Sequence, residues 1–363
     1  MPLIWCAISS HGYGHAAQVV PVLNELGRQV PGLRAMLRTQ VPSSFFANRL
    51  TLPYQLSLMP QDVGCIQEDP LTIDIDRTWL EHVRFHGSWE DRLGAEVEAL
   101  RAANPALVLS DIAPLAIAAA RQAGIRAMAL GSLSWDVILE PYLSRDARAR
   151  QEQGRLLAQI RQAYGGAELM IRLSPGLPMP AFPVVKDIGP IINPVMPQRA
   201  ALREALGATA QDRIALVAFG GIPLTALPIA RMEAMDGWRF LVSGPVPDGC
   251  RRTRSAEGLP FSFGAAMISG DVILTKPGYS TIVEAVRHRV PVCYVRRYNF
   301  ADEQGLVDYL HRYGRGTELG RDAFLAGQWE DGLTSALHLP PASEVAPEPN
   351  GAAEAASLLA GYL

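Results

Sequence analysis

The sequence predicts an α/β protein made of two successive nucleotide-binding-like halves, and three observations carry that prediction. Short apolar runs alternate with helical patterns in both halves, the signature of parallel sheets with helical crossovers. A glycine turn follows the first strand of each half, GYG within SSHGYGHAAQ (9–18) and GGIP (220–223). Between them Phe182 to Gln198, FPVVKDIGPIINPVMPQ, is dense in Pro and Gly and reads as a boundary.

The first strand is LIWCAI, and VVPVLNEL continues the helix that follows its glycine turn. Strand LRAMLRTQ comes next, then the apolar ALVLS ending at Asp111, the helix PLAIAAARQAG and the strand IRAMALGS. From Met59 to Leu100 the pattern weakens, and Thr78 to Leu100 reads as helical with Trp79, Val83 and Phe85 on its inner face. The expected limits are a first domain over 1–185, a linker over 186–198 and a second domain over 199–340, opened by the helix RAALREALGA. That domain repeats the logic: strand RIALVAF, turn GGIP, a helix, strands WRFLVSG and DVILT, loop KPGYS, helix TIVEAVRHR and strand VPVCYV. The remainder, 341–363, is a Pro-rich segment and a terminal helix expected to pack back on the first domain. Ligands of such sheets bind beyond the carboxyl ends of the strands.

Composition narrows the partners. At 363 residues, 48% hydrophobic and 19% charged, the chain is a globular protein with room for two domains. A net charge of -3 supplies no basic excess for nucleic acid or an anionic membrane. Cys6, Cys65, Cys250 and Cys293 are scattered without a CxxC pair, so reduced thiols and a cytoplasmic location are expected. The N-terminus has no basic n-region, and no apolar stretch reaches the roughly 18 residues of a spanning helix, so no integral membrane segment is expected. Nothing sets an oligomeric state.

The first glycine turn suits an anion or nucleotide, because glycine admits close approach and the first amides of the next helix are unpaired donors. GYGHAA also fits the dinucleotide fingerprint G-x-G-x-x-A, but the second strand ends RTQ with no acidic residue to hold a ribose, which argues against nicotinamide or flavin. A purely structural turn explains Gly12 and Gly14 but not both His11 and His15. Asp74 and Asp76, in DID, stand before a helical pattern and read as a capping or solvated pair, so no metal site is expected.

Four segments, SHGYGHAAQ, SDIAPLAIAAARQAGI, SLSWDVILEPY and TKPGYSTIVEA, the last followed by VRRYNFADEQ, carry a resemblance across most of the chain. The sequence resembles the glycosyltransferase-like N-terminal region of L-arabinokinases and, more distantly, the GT-B nucleotide-sugar glycosyltransferases. The resemblance does not extend to the kinase domain of the former, Gln18 stands where that family has arginine, and Ile222 stands where related transferases often have serine. The resemblance implies a GT-B fold, two Rossmann-like domains with parallel sheets facing across a cleft.

It also implies a division of labour. The second domain would bind the donor: Gly220 and Gly221 line the phosphates, as does Gly14 from the first domain. Lys276, Gly278, Ser280 and Thr281 cradle the diphosphate, Glu284 accepts from the ribose hydroxyls, and Glu303 with Gln304 grips the sugar. The first domain would supply His15 as general base, oriented by Asp111 as in a Ser-His-Asp arrangement. His11, Trp135 and Asp136 would touch the acceptor or a phosphate, although a core role for Trp135 stays open. The expected activity is metal-independent, inverting transfer from a nucleotide-diphosphate sugar, UDP by family frequency, to a hydroxyl of a small-molecule or lipid-linked acceptor, with no cofactor beyond that co-substrate. A non-hydrolysing nucleotide-sugar epimerase and a non-catalytic nucleotide-sugar-binding module remain as alternatives.

Overall fold

The computed structural model describes residues 1–220 and 227–363. They divide into two compact units, the first formed by Met1–Ile66, Ile73–Ile191 and Glu348–Leu363, the second by Gln67–Thr72 and Ile192–Pro347.

In chain order the first part of the molecule has strands β1 (Leu3–Ile8), β2 (Arg34–Arg38), β3 (Tyr54–Ser57), β4 (Gln67–Asp69), β5 (Thr72–Ile73), β6 (Leu107–Asp111), β7 (Ala127–Gly131), β8 (Leu169–Leu173) and β9 (Val185–Ile188). Seven of these form one parallel sheet in the order β3-β2-β1-β6-β7-β8-β9, while β4 and β5 pair separately. β1 and β6 lie side by side with Ile8 opposite Asp111, so the two chain segments leaving their carboxyl ends are neighbours. Both strands are buried along almost their whole length, which is why they read as continuous apolar runs rather than alternating ones.

Helix Gly14–Gln29 follows β1 and buries Val19, Val20, Val22, Leu23 and Leu26, an i, i+3, i+4 face. The terminal helix Gly351–Ala360 belongs to this unit and packs on it. Its first residue has no room for a side chain, since a Cβ on Gly351 would lie 2.0 Å from the Gly189 carbonyl oxygen. Glu354 fixes the contact by accepting from the Gly189 amide at 2.7 Å.

Two local expectations change. Residues 186–188 are not linker: they complete β9, an edge strand paired with β8, and the first unit continues to Ile191. The Pro and Gly content that suggested a boundary begins to act only at Gly189-Pro190, after a short run that includes two β-branched valines has added a strand. The helical stretch after Thr78 is two helices, Ile75–Gly87 and Trp89–Ala103, separated at Ser88 beside Gly87. Trp79, His82, Phe85 and His86 form the buried face of the first, and Val83 is half-buried.

The second unit contains β10 (Arg213–Ala218), β11 (Trp238–Val242), β12 (Thr253–Ser255), β13 (Val272–Thr275), β14 (Val292–Tyr294) and β15 (Gly316–Glu318), parallel in the order β12-β11-β10-β13-β14-β15. The order reverses at β10 and β13, the switch point where open parallel sheets bind ligands. Its core gathers Phe219, Trp238, Phe240, Phe324 and Trp329, and also Leu71 from the short 67–72 excursion. Arg321 secures that excursion by donating to the Leu71 carbonyl at 3.3 Å and to Thr72 Oγ1 at 2.6 Å. Among the described residues no helix is long and apolar enough to cross a membrane.

Candidate active site

In the first unit the polypeptide leaves β1 at Ser9, turns through Gly12 at φ +77° and enters the first helix at Gly14. The left-handed turn requires glycine there and delivers His15 into the first helical turn. His15 is buried, and its Nδ1 lies 3.0 Å from Asp111 Oδ1. The other Asp111 oxygen accepts from the Ser9 amide at 3.3 Å, and the residue is fully buried. Asp111 does not cap the following helix, whose N-cap is Ala113. Immediately after it, Ile112 sits at φ +50°, a conformation that costs a β-branched residue about 1–3 kcal/mol and persists only when its surroundings fix it. They do: Tyr164 Oη donates to the Ile112 carbonyl at 2.8 Å, and Gly131 leaves space where a Cβ would stand 2.8 Å from Ile112 Cγ2.

His11 joins the same cluster. Its Nδ1 accepts from the Cys65 amide at 3.3 Å, and its ring meets the Trp135 indole edge-on at 5.2 Å. Gly64, at φ +73°, presses against it, since a Cβ would come within 2.8 Å of His11 Cβ. Trp135 is fully buried, with His15 5.8 Å from its ring, and its Nε1 donates to Asp62 Oδ2 at 2.7 Å. Trp135 is thus both core and wall of the histidine cluster. Asp62 is the residue that sequence reasoning missed. Burial pushes its carboxyl up to about 6, against the lowering effect of hydrogen bonds from Ser9 and Trp135 and of His15, with Asp111 adding to the rise. It lies where periodicity fails, and the only local signal was an acid two residues before a glycine in PQDVGC.

Asp136, expected at the acceptor, does not contact the histidines. Its two oxygens accept from Ser134 Oγ at 2.7 Å and Arg161 Nε at 3.3 Å. Adjacent helical residues project about 100° apart, so when Trp135 faces His15 its neighbour faces the helix Ala147–Tyr164 instead. Asp74 is the N-cap of helix Ile75–Gly87, accepting from the Arg77 amide at 2.8 Å, with Asp76 in the first turn. Cys6, Cys65, Cys250 and Cys293 are free thiols, and burial raises Cys293 to about 12.

The second unit brings most of the predicted donor residues to the ends of β10 and β13. Gly220 follows β10 at φ +77°, and a Cβ there would lie 3.9 Å from Lys276 Cε, so the lysine chain passes beside the turn. Gly221 and Ile222 lie outside the described residues. Gly278 is the N-cap of helix Tyr279–His288, which places half-buried Ser280 and Thr281 in the first turn, where backbone amides are unpaired. Burial, and secondarily Arg297, lowers the Lys276 ammonium to about 7 despite Asp302 and Glu303. A bound anion would favour its charged form further.

Glu284 is not a solvent-facing helical glutamate: it is 4% exposed, and its Oε1 accepts from Asn193 Nδ2 at 3.0 Å and from the Asn193 amide at 3.4 Å. Burial raises its carboxyl, with Asn193 opposing. Glu303, expected at the donor sugar, is fully buried, and both its oxygens accept from Arg297, one from the amide at 2.9 Å and one from Nε. A carboxylate so engaged holds an arginine in place; the sugar-gripping role would need it to exchange partners. Gln304 is exposed and bridges Arg296 at 3.0 Å and Asp308 at 2.7 Å. Among the described residues, no group of three or more His, Cys, Asp or Glu side chains is placed to hold a metal ion.

Two doubly wound parallel-sheet units define the class: the chain has the GT-B glycosyltransferase fold. Solved structures agree. The glycotransferase of kitacinnamycin superposes with TM-score 0.62 at 17% identity, over 100% of this chain and 99% of that one. UGT2 of Phytolacca americana, complexed with UDP-2fluoro-glucose and pterostilbene, superposes with TM-score 0.60 at 16% identity, over 99% and 94%. In sequence the chain is similar to the L-arabinokinase of Arabidopsis thaliana, 30% identical over 344 residues, 93% of this chain and 32% of that protein. The chain therefore spans about a third of its curated relative. No protein-family model matches.

Proposed function

We propose that the protein is a glycosyltransferase that moves a sugar from a nucleotide-diphosphate sugar, a UDP-sugar first, to a hydroxyl acceptor with inversion. The observation that carries this reading is the buried His15–Asp111 pair at 3.0 Å. Asp111 on Nδ1 selects the tautomer with the proton there, so Nε2 is the nitrogen that takes the acceptor proton. As the acceptor oxygen bonds to the anomeric carbon, the bond from that carbon to the β-phosphate oxygen breaks. The proton passes to His15 and the nucleoside diphosphate departs. Asp111 stabilises the imidazolium that forms. A positioned base of this kind contributes about 10²–10⁴-fold.

The second unit holds the donor. The first-turn amides of helix Tyr279–His288, Lys276 and the turn at Gly220 meet the diphosphate, and Glu284 takes the ribose hydroxyls. Lys276 supplies a positive charge without a divalent ion. The UDP-sugar present in the Phytolacca structure supports uridine as the base of the donor.

The reading is tested by incubating the protein with a panel of UDP- and dTDP-sugars, with and without phenolic and sugar acceptors, and following nucleoside diphosphate release. Release that depends on acceptor and on His15 supports the transferase. C2 inversion of the sugar without release would make it an epimerase, and tight binding with no turnover would make it a binding module.

A further inference from the structure

The histidine cluster contains a second buried carboxylate that the His15–Asp111 pair does not require. Asp111 and Asp62 hang on the same residue, the first through the Ser9 amide at 3.3 Å, the second through the Ser9 side chain. Ser9 Oγ in turn accepts from the His11 amide at 3.4 Å. From this anchor Asp62 reaches the indole N–H of Trp135 at 2.7 Å, and the same indole packs on His11 at 5.2 Å and on His15 at 5.8 Å. A fully buried tryptophan N–H needs an acceptor, and a carboxylate is a demanding choice because its charge must be kept out of water. An amide would have satisfied Trp135. A charge is explained if something nearby becomes positive.

We infer that Asp62 is a positioning residue for the base: it fixes the Trp135 indole against the His15 ring and, with Asp111, presents a second negative charge to the imidazolium formed on proton transfer. The catalytic consequence rests on His15 being the base, whereas the electrostatic one does not. The charged and titratable groups that act on Asp62 are His15 on the first helix, Asp111 at the end of β6 and the Tyr164 hydroxyl, which accepts from the Trp135 amide at 3.2 Å, while His11 lies on the Trp135 ring. Tyr164 is held well above its ordinary range by burial and stays neutral. Asp62, raised to about 6 by burial, loses its charge as pH falls through that range, so the second negative charge is present at neutral pH and lost in acid.

The same loop explains how Asp62 is kept there. His82 Nε2 lies 2.9 Å from the Gly64 carbonyl, and burial lowers this histidine to about 4, so it is neutral and donates that bond at working pH. Gly64 in turn bears on His11.

The test is Asp62→Asn, which keeps the volume and an oxygen for Trp135 while removing the charge, with the His15 ring titrated by NMR in the free protein. The expected result is a His15 midpoint lowered by about half a unit or more, alongside a fall in nucleoside diphosphate release of about tenfold with donor KM unchanged. The acid-side loss of rate that follows Asp62 protonation should disappear from the rate profile. A His15 midpoint and an acid limb both unaltered would overturn the inference. Trp135→Phe is the second variant: it removes the N–H through which Asp62 holds the indole, so it should lose rate with donor KM unchanged, and an unchanged rate would refute the positioning role. Because the titration is read without substrate, it stands even if His15→Ala keeps its activity and the base assignment fails.

Discussion

Replacing Glu284 with glutamine separates a donor ligand from a structural prop. The side chain is 4% exposed and gives Oε1 to Asn193 at 3.0 and 3.4 Å. Glutamine retains an acceptor oxygen for Asn193, so the fold should lose less than about 1 kcal/mol. The sign of the charge effect points the same way. Burial raises the carboxyl above its unfolded value, so the native state favours the protonated form and ionisation at neutral pH costs stability. Removing that charge relieves the cost. For the ligand the effect is opposite: a charge-assisted bond to a ribose hydroxyl contributes about 1.5–3 kcal/mol, so UDP affinity should fall by one to two orders of magnitude. Calorimetric titration with UDP and with its 2'-deoxy and 3'-deoxy forms is the assay. Wild type should discriminate against the deoxy ligands and Glu284→Gln should largely cease to. Equal affinity and equal discrimination in both proteins would mean that Glu284 only ties the segment at Asn193 to its helix, and the donor site would have to be redrawn.

Lys276, lowered to about 7, should take up a proton when a diphosphate arrives, so UDP affinity should fall as pH rises from 7 to 9, where the phosphate (second pKa about 6) is already ionised. Titrations in buffers of different ionisation enthalpy check this, and a pH-independent affinity would contradict it. Gly64→Ala should destabilise the first unit by about 1–3 kcal/mol, read by chemical denaturation, because the site combines φ +73° with a 2.8 Å approach to His11. If helix-end amides and Lys276 meet the leaving group as proposed, excess EDTA should leave nucleoside diphosphate release unchanged, and loss restored by manganese would contradict that arrangement.

Much of this architecture was legible because parallel strands buried on both faces leave unbroken apolar runs, as in LIWCAI and RIALVAF. Asp111 and Lys276 were legible for a related reason: each ends or immediately follows such a run, where parallel sheets present their ligand-binding residues. Asp62 and Gly64 were not, because their positions depend on His11, Trp135 and His82 across long sequence separations and on no local period. The 67–72 excursion was invisible likewise, with a single leucine and a distant arginine fixing it. For Asp136 and Glu303 the partners were the unreadable part. The motif located each correctly in the chain, but Arg161 and Arg297 claim their oxygens, and a charge partner twenty-five or six residues away is not readable from the motif alone.

The central claim is that His15 acts in the transition state and not in donor binding, and one variant tests it with two readouts. His15→Ala should bind a UDP-sugar with a Kd within about twofold of wild type while nucleoside diphosphate release to acceptor falls by about 10²–10⁴-fold. Release within a few-fold of wild type, or a rate lost only in proportion to donor affinity, would contradict it.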